Sequence, residues 1–246
     1  VSKYIATKLH LALEVDPEES VLLEMHQGAH FVIDQTLIEL LSRSDVIGCI
    51  RAMLEAEIAH LPVESLTLEF EFDGVRRFVL LKETSQGMVA HVASMTKQAL
   101  EVTFRQIHVR VDKIGVFVDN HCSEMDGWCS GFAAQIALLM LHTRGIEKEV
   151  IEPTKLNAKR QATGKIRIPK HTVVRIGSVY DREGRAHSVG NGRHLPLHLR
   201  IGHARHQAHG PKHSERKWIF IPPVIVSYRP DEEAGEVKMP KKILAR

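Results

Sequence analysis

The stretch SLTLEFEFDGVRRFVLL, Ser65–Leu81, decides the class of fold. Leu66, Leu68, Phe70 and Phe72 alternate with Thr67, Glu69 and Glu71. A period of two is the mark of a half-buried strand, with its polar side chains turned away from the core. Asp73-Gly74 then supplies the left-handed pair that a type I′ turn requires, and Phe78 to Leu81 returns as the partner strand. An antiparallel hairpin so early in the chain, beside segments of helical period, predicts an α+β protein.

Outward from the hairpin, the upstream segment 19–42 reads as mainly helical, with Phe31, Ile33, Leu37, Ile38, Leu40 and Leu41 as its apolar positions. Ser44 or Asp45 can cap a second helix that runs to about His60, before Pro62. Downstream, Met88–Val92 and Ile107–Val111 read as strands, the second with His108, Arg110 and Asp112 on its polar side. Ile114–Val118 reads as a short buried strand. Asp126 could cap a helix from Gly127 to Thr143 that is apolar nearly all round, which predicts a place at the centre of the core. Thr172–Ile176, Leu195–Ile201, Trp218–Ile221 and Val224–Val226 read as further strands, and VKMPKKIL as a closing edge strand. The expectation is N-terminal helices with a mixed or antiparallel sheet and a buried central helix, followed by a basic, strand-rich C-terminal part.

The 246 residues allow one large domain or two small ones, and 43% apolar content is enough for a substantial core. No apolar run approaches the roughly 20 residues that span a bilayer, so no membrane partner is expected. The first twenty residues lack the long apolar region of a secretory signal. Three cysteines, Cys49, Cys122 and Cys129, suggest reduced thiols in a cytosol. Charge is divided sharply. Residues 1–152 carry 23 acids and 13 Lys or Arg, whereas 153–218 carry 15 bases and three acids. This suggests an acidic part, 1–152, and a basic part, 153–246, either as two units or as one continuous domain. The basic part is suited to a polyanion. Attraction between the two parts is the plainer explanation of the same split.

The bases concentrate in two places. Thr154–Lys170, TKLNAKRQATGKIRIPK, has six bases and no acid. Its small residues let a loop or short helix approach a phosphate backbone, or it is simply a solvated basic face. His198–Trp218 holds five histidines, five Lys or Arg and one carboxylate. Leu195, Leu197, Leu199 and Ile201 lie on one face of that strand, and His198 and Arg200 on the other. Regular alternation would push His203 and Arg205 onto the leucine face, where an unpaired guanidinium is costly. A bulge at Gly202 would reverse the phase and gather His198, Arg200, His203 and Arg205 on one side; a strand that simply ends at Gly202 is the alternative. Two imidazoles and a guanidinium suffice for metal-independent RNA cleavage. One imidazole activates a ribose 2′-hydroxyl, the other protonates the leaving oxygen, and the cation steadies the phosphorane. The catalytic candidates are therefore His198, His203 and Arg205. The nucleic-acid-binding candidates are Lys155, Lys159, Arg160, Lys165, Arg167, Arg200, Arg205 and Lys212. A phosphate-binding surface without chemistry is the competing reading.

Other chemistries find less support. His203, His206, His209 and His213 recur at spacings of three and four, but Gly202 and Gly210-Pro211 leave room for only two helical turns, and CxxC and HExxH are absent. No metal site and no cofactor are expected. Asp119–Cys129, DNHCSEMDGWC, could form a Cys–His nucleophile, but such residues more often cap a helix and fill a core. Neither a Walker A loop nor GxGxxG occurs, against a nucleotide-driven motor or a dehydrogenase.

KLNAKRQATGK, followed by LPLHLRIGHARHQ and KWIFIPPVIV, resembles an uncharacterised family of phage and phage-like proteins. That family has a Lys-Leu-Asn stretch with bases, an Arg-x-Gly-His-x-Arg core matched by Arg200, Gly202, His203 and Arg205, and a tryptophan strand matched by Trp218. The resemblance covers roughly residues 150–246; His206, His209 and His213 are additions to its pattern. It implies a viral protein acting in a bacterial host cytoplasm and supplies no mechanism. Taken with the charge, it predicts a nucleic-acid-binding protein, with RNA preferred to DNA as partner. The alternatives are a non-catalytic interaction protein that engages a host target or assembles with itself through its acidic and basic surfaces, and a structural component of the virion.

Overall fold

The computed structural model describes residues 9, 10, 12, 20–85, 87–96, 100–102, 106–112, 116–118, 122–177 and 197–226. The expected tail strand, Leu195, and residues 119–121 of the cysteine segment lie outside these residues.

The hairpin forms as its alternation dictates. Strand β2 (Ser65–Phe72) pairs antiparallel with β3 (Val75–Thr84), and Asp73 and Gly74 both take positive φ. Leu66, Leu68 and Phe70 enter the main core. The other face of β2 is not left to solvent: Thr67 and Glu69 are fully buried. Helix α1 (Ser20–Gln27) and residues Leu9 and Ala12 cover that side, against Phe78, Leu80 and Ala93. This second apolar layer explains why β3 reads as the continuous run Phe78–Leu81: both of its faces are covered.

Segment 19–42 departs from the helical expectation. Gly28 follows α1, and Ala29–Ile33 forms β1 before helix α2 (Gln35–Ser42) begins at the Asp34 cap. Strand β1 runs parallel to β2 on one side and parallel to β9 (His171–Ile176) on the other. A short strand buried among neighbours shows no alternation, so its flanking helices masked it. Helix α3 (Val46–Glu55) is capped by Asp45 and leads on to β2.

The main sheet has nine strands. Along it the order is β7 (Val116–Val118), β6 (Ile107–Val111), β4 (Gly87–Met95), β3, β2, β1, β9 and β8 (Ile146–Ile151), with β5 (Leu100–Val102) also on β4. Apart from the two ladders of β1, all its pairings are antiparallel. The mixed α+β architecture therefore stands. Strand β7 is less covered than expected, with Phe117 40% exposed.

Helix α4 (Glu124–His142) is the buried central helix, with Phe132, Ile136, Leu138, Leu139 and Met140 in the core. Its cap is Ser123, whose Oγ accepts from the Asp126 backbone N–H; Asp126 lies inside the first turn, where its charge suits the helix dipole. No helix among the described residues is long and apolar enough to cross a membrane.

Candidate nucleic-acid interface

The basic stretch after β8 folds as helix α5 (Thr154–Ala162), which has no buried residue. Asn157 fastens it to the returning chain. Its Oδ1 accepts from the Ile168 N–H and its Nδ2 donates to the Ile168 carbonyl, both at 2.8 Å. Arg160 Nε donates to the Ile166 carbonyl at 2.7 Å, and Arg167 donates to Gln161 Oε1. Two of the expected phosphate ligands, Arg160 and Arg167, thus also brace the loop that leads into β9. Lys155, Lys159 and Lys165 are exposed around them, and Lys170 approaches Glu152 at 3.9 Å.

The histidine-rich stretch is a long, interrupted hairpin. Strand β10 (His198–Arg200) pairs with β13 (Val224–Val226), and β11 (His203–His209) with β12 (Glu215–Ile221). The expected extra residue at Gly202 is absent. Arg200 faces Val224 and His203 faces Ile221, so both strands break across the same two positions. The cause is on the opposite strand: Pro222-Pro223 cannot donate to a ladder. Gly202 is needed there for closeness, since a Cβ on it would stand 2.7 Å from the Ile221 carbonyl oxygen and 2.8 Å from Pro223. The inward phase changes across the break. Leu199 and Ile225 are buried and Ile201 is 41% exposed, while beyond Gly202 the pair Ala204 and Phe220 faces α3.

Alternation then distributes the side chains. His198, half-buried, and Arg200, exposed, lie opposite Leu199. His203 and Arg205 are exposed, lie opposite Ala204, and share their face with Gln207 and Lys217; Arg205 donates to Gln207 Oε1. His206 lies on the other face, cross-strand from Trp218, with ring centroids 4.6 Å apart and planes 22° apart. His203 and His209 are thereby separated from His206, and among the described residues no group of three His, Cys, Asp or Glu is placed to hold a metal. Lys212 and His213 take positive φ at the exposed hairpin tip, and His209 Nε2 lies 3.2 Å from Glu215.

The hairpin is anchored to the core through its return strand. Arg144 N–H donates to the Pro223 carbonyl and Ile225 N–H to the Arg144 carbonyl, at 2.8 and 2.9 Å. Below it, the His142 ring sits edge-on to Phe220 and His60, and burial holds its pKa below the usual imidazole range, with His60 adding to the effect. Between α3 and the hairpin lies a cleft of about 460 Å³ whose walls include Glu55, Ala56, Ile58, Ala204, Trp218 and Phe220. Trp218 is 70% exposed. Sequence analysis placed it only at the start of a strand; its pairing with His206 and its place at the cleft were hidden until the strands paired.

Two further features bear on chemistry. Cys129 is a buried residue of α4, and desolvation pushes its thiol up to about 11, the opposite of an activated nucleophile. Glu69 is wholly buried with His30 Nε2 at 3.0 Å and Arg76 Nε at 3.8 Å. The side chains of both His30 and Glu69 are inaccessible, so the pair is structural.

Residues 137–228 match the AcrVA2-like family, described as the anti-CRISPR type V subtype A2 family, a phage-type protein family. The match takes in the end of α4, β8, α5, β9 and the whole hairpin. Neither the curated proteins nor the solved structures contain a match to the chain.

Proposed function

We propose that this chain is a phage-encoded protein that interferes with a CRISPR defence of its bacterial host, and that it does so by holding RNA on the hairpin β10–β13 and the lysines of α5. The observation that carries the reading is the exposed cationic hairpin with Trp218 standing out of it, inside the segment that matches an anti-CRISPR family. Arg200, Arg205, Lys212 and Lys217 supply positive charge without competing core contacts. Arg and Lys of this kind hold phosphates and release counterions.

The test is binding of labelled RNA across a salt series. Affinity should fall steeply and linearly on logarithmic axes, and charge reversal at Lys155, Lys159 and Lys165 should weaken it without lowering the thermal midpoint. Those three are chosen because none braces the α5 loop. Binding that ignores both salt and the reversals would remove the proposal. The finer form is cleavage by His198 and His203 with Arg205. It requires product with 2′,3′-cyclic phosphate ends, formed in the presence of chelator and lost in His203→Ala while much RNA affinity remains. RNA bound but left intact would restrict the protein to binding.

A further inference from the structure

The cleft between α3 and the hairpin has an unusual set of walls for a basic surface. One side is the indole of Trp218, stacked on His206 and 70% exposed. The floor is apolar: Ala56, Ile58, Ala204 and Phe220. A carboxylate, Glu55, stands at the last residue of α3 and lines the same cleft. A cation stands beside it: Arg216 lies two residues from Trp218 on the same strand face and is exposed.

We infer that this cleft receives a single unstacked guanine base of a single-stranded RNA, stacked on Trp218 and held by Glu55. The inference rests on the RNA-binding reading proposed above and names its ligand. Aromatic side chains beside cations bind single strands by stacking, whichever base is offered. Depth adds a second condition. A base within a duplex has both its faces covered, so only one turned out of the helix can enter a cleft. The carboxylate adds the third. Glu55 is an acceptor that repels phosphate, so it belongs at a base edge and not at the backbone. Guanine alone among the four bases presents two adjacent donors, N1–H and the N2 amino group, to a two-oxygen acceptor. Arg216, on the same strand face as Trp218, then stands beside the stacked base to meet a flanking phosphate.

The experiment uses the full chain and fluorescence anisotropy with labelled ten-nucleotide RNAs: uridine only, uridine with one central guanosine, and the second annealed to its complement. The guanosine-bearing single strand should bind most tightly. Trp218→Ala should weaken it by about fivefold to a hundredfold, while Trp218→Phe retains most of the affinity. Glu55→Gln should reduce the preference for guanosine over uridine, read as the ratio of the two affinities. Trp218 and Glu55 are both exposed, so a matched thermal midpoint shows that the variants fold. Salt-sensitive binding that treats duplex and single strand alike and ignores Trp218→Ala would overturn this inference and leave the RNA-binding reading intact. Failure to bind any of the three RNAs would overturn both. An apolar peptide that occupies the cleft and excludes none of the bound RNA would make it a protein-docking site and overturn the inference alone.

Discussion

Replacement of Gly202 by Ala should loosen the hairpin from the core, and the size of the effect follows from the crossing of its strands. A Cβ at 202 would lie 2.7 Å from the Ile221 carbonyl oxygen and 2.8 Å from both N and Cδ of Pro223. Ordinary contact begins near 3.4 Å, so backbone must retreat by about 0.7 Å. The opposing chain has little freedom to do so. Pro222 and Pro223 have fixed φ, Pro223 O and Ile225 N are both bonded to Arg144, and Ile225 is buried in the main core. Overpacking of this kind costs about 1–3 kcal/mol. For a chain of this length that lowers the thermal midpoint by roughly 2–12 °C. Circular dichroism during heating reads the midpoint, and hydrogen exchange reads the amides of 203–209 and 215–221. Gly164→Ala is the control. Nothing lies within 4 Å of a Cβ there, so only its left-handed φ of 70° opposes the change. Gly202→Ala with an unchanged midpoint and unchanged protection in the hairpin would refute the crossing.

Three further outcomes are expected. Cys129, buried and with its thiol pushed up to about 11, should resist a thiol reagent at pH 8 in the folded protein and react on unfolding; rapid native reaction at that residue, located by mass spectrometry, would contradict its burial. Asn157→Ala removes both bonds to Ile168 and should cost about 1–3 kcal/mol in urea unfolding, whereas Lys159→Ala beside it should be near neutral. His142 has a folded pKa below its unfolded value, so the unfolded chain takes up the proton first and stability should fall as pH drops through the unfolded value near 6.5. His142→Leu should flatten that part of the pH–stability curve, and an unchanged curve would show that His142 is not its source.

The sequence determined the pieces whose residues speak for themselves. Leu66–Phe72 alternates and Asp73-Gly74 turns, so β2 and β3 were legible. The nearly all-apolar run through Phe132 to Met140 announced a buried helix, and the excess of bases after residue 153 announced a cationic second part. These signals are local, because period and turn chemistry depend only on neighbours along the chain. Tertiary structure decided the rest. Strand β1 was masked between two helices, because its stability comes from parallel ladders to β2 and to β9, a segment some 140 residues further on. Thr67 and Glu69 looked solvent-facing until α1 covered that side of the sheet. Gly202 was recognised as a break, but the proline pair that forces it lies on the opposite strand, 20 residues away. The cleft beside Trp218 has walls from α3 and from the hairpin, segments about 150 residues apart. No local pattern encodes such a meeting; only the packing of one layer on another brings those side chains together.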